Sequence, residues 1–207
     1  MKNIGVLNFG LGNISSIKNI IDKSGYHSIE IKEKNDLLNL SKIILPGVGH
    51  FQEAMNIIKD QNSLICELNN LVIKEKIPIL GICLGMQLMT FYSEEGNCEG
   101  LKWIEASVKS FRGKLSNSFK VPHMGWNTLL ETKEDSIVSS NDEDQRFYFV
   151  HSYFVDEISP SLVTSKTKHG EVLFCSSFQK DNFYGVQFHP EKSHKYGLNL
   201  FNSFLGG

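Results

Sequence analysis

Along the first hundred positions, short apolar blocks alternate with helical stripes. "NIGVLNF" (3–9) is rich in strand formers and predicts a first strand. Ile14, Ile17 and Ile21 then recur at three- and four-residue spacing, which predicts a helix over 14–24 with Gly25 as its stop. "SIEI" (28–31) and "KIILPG" (42–47) predict two more strands, helical patterns fill the stretches 51–60 and 63–75, and "IPILGI" (77–82) predicts a fourth strand. Alternation of this kind signals βαβ units and a largely parallel sheet.

From residue 103 onward the period changes to two. "WIEASVKSF" (103–111), "RFYFVHSYFV" (146–155), "EVLFCSSF" (171–178) and "FYGVQFH" (183–189) predict antiparallel hairpin strands that extend or flank the parallel sheet. "YGLNLFNSFL" (196–205) predicts a closing helix, and the polar run "SSNDEDQ" (139–145) a solvated loop. No internal repeat is present, so the expectation is one α/β domain over 1–207: a central, mostly parallel sheet flanked by helices, with antiparallel hairpin strands in the C-terminal half.

Composition narrows the function classes. Hydrophobic residues make up 41% of the 207 and charged residues 21%, the balance of a soluble globular protein with a sizeable core. A net charge of −2 offers no electrostatic case for nucleic acid. The longest apolar stretch, Ile77 to Met89, is too short and too interrupted by glycine to span a bilayer, and "MKNIGVLNFG" lacks the apolar core of a secretion signal. The four cysteines form no CxxC pair, so no metal site or cofactor is expected, and free thiols point to the cytoplasm.

The chemistry centres on "GICLGMQ" (81–87), directly after an apolar strand. A cysteine that only packed would need no flanking glycines, whereas a sharp strand-to-helix turn does, because it strains the central residue and brings backbones close together. Such a turn holds a nucleophile at the C-terminal edge of a sheet, which makes Cys83 the candidate. Far downstream, "HPE" places His189 and Glu191 two residues apart around Pro190, a spacing that puts both on one face of an extended chain. A carboxylate that orients the imidazole, and an imidazole that activates a thiol, are what acyl transfer to cysteine requires. "LPGVG" (45–49) follows another strand, and its Gly47-Val48-Gly49 backbone can supply one N–H for an oxyanion, Leu84 supplying the other.

In order and wording, "GLGNISSI" (10–17), "LPGVG" (45–49), "LGICLGMQL" (80–88), "SEEG" (93–96), "KVPHMGWN" (120–127), "YFVHSY" (148–153) and "GVQFHPEKS" (185–193) resemble the class I glutamine amidotransferases. More narrowly they resemble the glutaminase subunits of imidazole glycerol phosphate synthases. The resemblance implies a flavodoxin-like fold and hydrolysis of L-glutamine by a triad of Cys83, His189 and Glu191. It implies that Gly49, Gln87, Glu95, Ser152 and Tyr153 hold glutamine. It further implies that Asn13, Trp126, Tyr148 and Lys192 face a (β/α)₈-barrel cyclase partner, to which ammonia passes for synthesis of imidazole glycerol phosphate and AICAR. A second client fits the same resemblance: ammonia supply to a sugar amidotransferase in surface-polysaccharide synthesis. A cysteine peptidase on this fold is disfavoured by the matches at Gln87 and Glu95, and a non-enzymatic role by the intact triad.

Other candidates carry less. "GLGNIS" begins like a dinucleotide fingerprint, but Ser15 stands where its third glycine belongs. His123 and His151, beside aromatics, fit core, interface or function equally. His27, His169 and His194 are expected at the surface, Cys66 and Cys175 in the core, and Cys98 in an exposed loop.

Overall fold

A computed structural model describes residues 3–116, 118–138 and 145–207; the polar run at 139–145 lies outside them except for Gln145. The first half contains β1 (Asn3–Leu7), α1 (Ile14–Lys23), β2 (Ser28–Ile31), β3 (Leu40–Leu45), α2 (Phe51–Asp60), α3 (Asn62–Asn69), β4 (Ile79–Ile82), α4 (Leu84–Leu88), β5 (Thr90–Ser93) and β6 (Cys98–Glu99). The second half contains β7 (Ile104–Ser110), β8 (His123–Thr128), β9 (Arg146–His151), β10 (Tyr153–Asp156), β11 (Val163–His169), β12 (Val172–Lys180), β13 (Phe183–Val186) and α5 (His194–Gly206).

The main sheet runs β2-β1-β3-β4-β13-β12-β10-β7-β5-β6, with β11 paired to β12. Its centre, from β2 to β13, is parallel throughout, and antiparallel pairs extend it from β12 outward except between β7 and β5, which run parallel. Alternate residues of the central strands feed two cores. Leu7, Ile43, Leu45 and Ile79 pack with α2 and α3 on one face, whereas Ile4, Val6, Ile44 and Leu80 pack with α1 and α5 on the other. A parallel sheet covered on both faces has no solvated side, which is why its strands read as continuous apolar runs. β3 stops at Leu45 because Pro46 has no N–H with which to continue the ladder.

Three local readings change. The helix predicted over 63–75 breaks into α3 and a wider turn over Asn70–Lys74, where Glu75 N–H reaches the Asn70 carbonyl five residues back. Cys66 is exposed, not core, because Leu64 and Leu68 take the buried stripe of α3 and residue 66, about half a turn from each, points to the opposite side. Cys98 is half-buried on β6 instead of exposed in a loop.

The run "RFYFVHSYFV" does not form one strand. β9 pairs with β8 in a separate two-stranded sheet, whereas β10 enters the main sheet beside β7, so the chain changes sheets at Ser152. Four strands were not predicted, the short β5 and β6 and the longer β8 and β11, and the last two were hidden by their chemistry. β8 turns Met124 and Trp126 outward, and β11 buries the hydroxyls of Thr164, Ser165 and Thr167 where a core strand would bury hydrocarbon. The first two of those hydroxyls are satisfied across the pair, Thr164 by Ser177 at 2.7 Å and Ser165 by Ser177 at 2.6 Å.

Candidate active site

β4 delivers the chain to Cys83, which sits at φ +53°, ψ −110° before α4 begins at Leu84. The glycines around it are required by contact. A Cβ on Gly85 would lie 1.8 Å from the Leu45 carbonyl oxygen, one on Gly81 2.7 Å from the Met86 nitrogen, and one on Gly47 2.8 Å from the Gly85 nitrogen. The turn after β3 and the turn after β4 therefore meet backbone to backbone, which seats the Pro46–Gly49 loop beside the cysteine. Gly85→Ala is expected to destabilise the protein by about 3 kcal/mol, the upper end of ordinary overpacking, because backbone cannot step aside as a side chain can. The midpoint of urea unfolding reads this directly.

β13 lies parallel to β4 with Val186 opposite Ile82, so Gln187, Phe188 and His189 continue alongside the turn. Several bonds fix His189 there. Its N–H donates to the Tyr148 carbonyl at 2.8 Å, its carbonyl accepts from the Ser193 hydroxyl at 2.6 Å, and Ser193 Oγ accepts from Tyr148 N–H at 3.0 Å. Nδ1–H donates to Glu191 Oε1 at 2.8 Å, with only 2% and 3% of the two side chains exposed. Glu191 reaches the ring from a helical turn over Pro190–Lys192, not across one face of an extended strand as its spacing had implied. Proline at the start of that turn presets its φ.

Because Nδ1 carries the hydrogen toward the carboxylate, Nε2 is the edge left for chemistry; it is buried and holds no hydrogen bond among the described residues. Burial opposes the charged ring, but the Cys83 sulfur and the Glu191 carboxylate outweigh it and raise the imidazole well above its usual range. The Cys83 thiol itself points to the Val150 carbonyl, with Sγ and O 3.9 Å apart, a looser arrangement of the kind that tightens when substrate binds.

Cys83 and His189 share a cleft of about 290 Å³ with Val48, Gly49, Leu84, Gln87, Glu95, Ser152 and Tyr153. All the residues expected to bind substrate or an oxyanion therefore meet in one place. Gln87 Nε2 donates to the Tyr153 carbonyl and to Gln187 Oε1, both at 2.9 Å. Glu95 Oε2 accepts from Phe51 N–H at 2.9 Å, at the start of α2, where the helix dipole favours a carboxylate. Gly49 has φ +114°, a conformation that L side chains rarely adopt.

The cleft also includes Pro122, Val150 and His151, which sequence reasoning left out or left open. His151 Nδ1–H donates to the Tyr153 carbonyl at 2.7 Å. Its Nε2 then accepts from His123 Nδ1–H at 2.9 Å, and His123 Nε2 accepts from Asn127 Nδ2 at 3.1 Å. Each tautomer is set by the carbonyl at the end of the chain. Both rings are neutral: burial, then His169, lowers His123 to about 4, and burial, then His123, takes His151 well below the usual value. His169, expected at the surface, stacks on His123 with ring centres 4.4 Å apart. His27 and His194 are exposed, and Cys175 is buried, as expected.

Of the four residues implied at a partner surface, three cluster. The Tyr148 ring lies 6.2 Å from Trp126, and Lys192 Nζ sits 5.7 Å above it. His194 stacks on Trp126 at 5.5 Å. Asn13 caps α1 by accepting from Ser16 N–H at 3.2 Å, and Ser16 borders a groove together with Lys192 and His194.

The family model described as glutamine amidotransferase class-I matches residues 6–206. The imidazole glycerol phosphate synthase subunit HisH 2 of Methanococcus maripaludis is 46% identical over 202 residues, 98% of each chain. Subunit HisH 1 of Campylobacter jejuni is 41% identical over 97% of this chain and 98% of the relative. Among solved structures, PurLQS from Thermotoga maritima superposes with a TM-score of 0.72 at 16% identity, covering 100% of this chain and 99% of the other. At that identity the likeness speaks for the fold.

Proposed function

Since the chain belongs to the class-I glutamine amidotransferase family, we propose that it is a single-domain glutaminase subunit that hydrolyses L-glutamine to L-glutamate and ammonia at Cys83. One observation carries the reading: the strained Cys83 and His189, whose ring is held from behind by Glu191, open onto the cleft that Gln87 and Glu95 border. The Cys83 thiolate attacks the γ-carboxamide carbon, and N–H groups of Leu84 and of the Val48–Gly49 loop receive the oxyanion. His189 gives its proton to the departing nitrogen, ammonia leaves, and a γ-glutamyl thioester remains on Cys83. His189 then takes a proton from water as water attacks, and glutamate is released with the thiolate restored. Gln87, Glu95, Ser152 and Tyr153 hold the amino-acid end of the substrate.

The relatives' names support a destination. In this reading the ammonia passes to a (β/α)₈-barrel cyclase that forms imidazole glycerol phosphate and AICAR. The partner docks on Trp126, Tyr148, Lys192 and Asn13. A reducing cytoplasm suits an enzyme that works with a free thiol, and among the described residues no helix is long and apolar enough to cross a membrane.

The test is reconstitution with the cyclase and its phosphorylated ribosyl precursor. The lone chain is expected to release glutamate slowly, because glycines let the Gly47–Gly49 loop present a carbonyl where a donor is needed. Docking should raise the rate by about 10² to 10³, the worth of one oxyanion donor. No rise with the cyclase, but a rise with a sugar amidotransferase, would move the ammonia to the other client. Full activity of the lone chain would remove the loop as a switch.

A further inference from the structure

We propose that Gln187 is a further catalytic residue, whose side-chain amide donates a hydrogen bond to the Cys83 sulfur and stabilises its thiolate. The proposal deepens the glutaminase reading and rests on Cys83 being the nucleophile. Gln187 is fully buried, and its Nε2 lies 3.7 Å from Cys83 Sγ. Its main chain is tied into the sheet, with N–H on the Ser176 carbonyl at 2.9 Å.

Which end of the amide faces the sulfur follows from its neighbours. Gln87 points one end of its own amide at the Tyr153 carbonyl, 2.9 Å away, so that end must be the NH₂ group. The same NH₂ lies 2.9 Å from Gln187, so the Gln187 atom facing it must be the acceptor oxygen. The remaining end, the NH₂ of Gln187, is therefore the one at sulfur. The Tyr153 carbonyl cannot swing away to relax this order, because His151 Nδ1–H holds it at 2.7 Å and His123 holds His151 in turn. A chain of hydrogen bonds with every donor assigned thus runs from Asn127 to the nucleophile.

The two groups at the sulfur favour opposite states. The Val150 carbonyl can only accept, so it serves the protonated thiol, whereas the Gln187 amide can only donate from this end, so it serves the thiolate. An amide cannot remove a proton, which leaves the base role to His189. The donor is worth most where charge sits on sulfur in a dry cleft: before attack on the carboxamide, and again when sulfur leaves the thioester.

Gln187→Met keeps the length and bulk but removes the donor, together with the oxygen that accepts from Gln87 Nε2. Cys83 alkylation by iodoacetamide at neutral pH, followed on the Cys83 peptide, is expected to slow about tenfold, the scale of one hydrogen bond to a charged group. The glutaminase kcat should fall by a similar factor with the KM for glutamine nearly unchanged, since Gln87 keeps the Tyr153 carbonyl and Glu95 keeps Phe51 N–H. An alkylation rate equal to wild type would overturn the proposal even if kcat fell, because packing alone would then account for the loss. Should the variant not fold, the ¹⁵N side-chain resonances of Gln187 in the wild-type chain decide the matter: they should move when Cys83 is alkylated, and unmoved resonances would refute the contact. Alkylation is read without glutamine, so a reactive Cys83 in a chain that never hydrolyses glutamine would count against the glutaminase reading and not against Gln187.

Discussion

Cys83→Ala is expected to lower glutamine hydrolysis by about a million-fold, the cost of losing the nucleophile of a triad. The fold should survive, because alanine keeps the Cβ and the same strained backbone at φ +53°. Ammonia-dependent synthesis by the partner should also survive, since the partner only consumes what this subunit makes. Assays with glutamine and with ammonium salt, run on the same reconstituted pair, separate the two. Equal losses in both would mean that Cys83 serves docking or folding. Cys83→Gly makes a second comparison: equally inactive, it should melt higher than Cys83→Ala, because a non-glycine residue held in a sparsely populated conformation costs about 1 to 3 kcal/mol. Equal melting of the two variants would remove the strain from the account.

The proposed nucleophile and the residues around it were legible because their chemistry is written in neighbouring residues. Gly81 and Gly85 announce a turn that only close backbone approach explains, and the fold puts the Leu45 carbonyl where a Gly85 side chain would go. The parallel half of the sheet was legible for a similar reason: burial on both faces leaves apolar blocks. The His123–His151 pair was not legible. Those residues are 28 apart, and only the β8–β9 register, with His123 opposite His151, joins them. Gln187 was hidden in a run that alternates like any half-buried strand. What distinguishes it is a contact to residue 87, a hundred positions away, and a single sequence cannot show that. The break at Ser152 was concealed because both strands flanking it are aromatic and the sheet change needs no glycine or proline.

His189→Ala and Glu191→Gln should fall at different depths. Removing His189 leaves no group to charge the thiol or to protonate the leaving nitrogen, so its loss should approach that of Cys83, about 10⁶ in kcat. Among the described residues the Glu191 carboxylate bonds only Nδ1, at 2.8 Å, and it does not line the cleft that Cys83 and His189 share. Its carboxylate does two things at that distance: it holds the hydrogen on Nδ1, so that Nε2 faces the cleft, and it helps raise the affinity of the buried ring for a proton. Glutamine in its place keeps the shape but drops the charge, and can turn its NH₂ toward Nδ1 and favour the wrong tautomer. A loss of about 10⁴ is expected, the scale seen when an orienting carboxylate becomes an amide. The sign of the pH effect follows. The carboxylate favours imidazolium, so without it the ring gives up its proton at lower pH, and any alkaline limb of the activity profile that reports loss of that proton should move down. Steady-state glutaminase rates across pH for both variants test the two claims together. If Glu191→Gln is as damaging as His189→Ala, or if such a limb stays in place, the carboxylate is doing more than orienting and charging the ring.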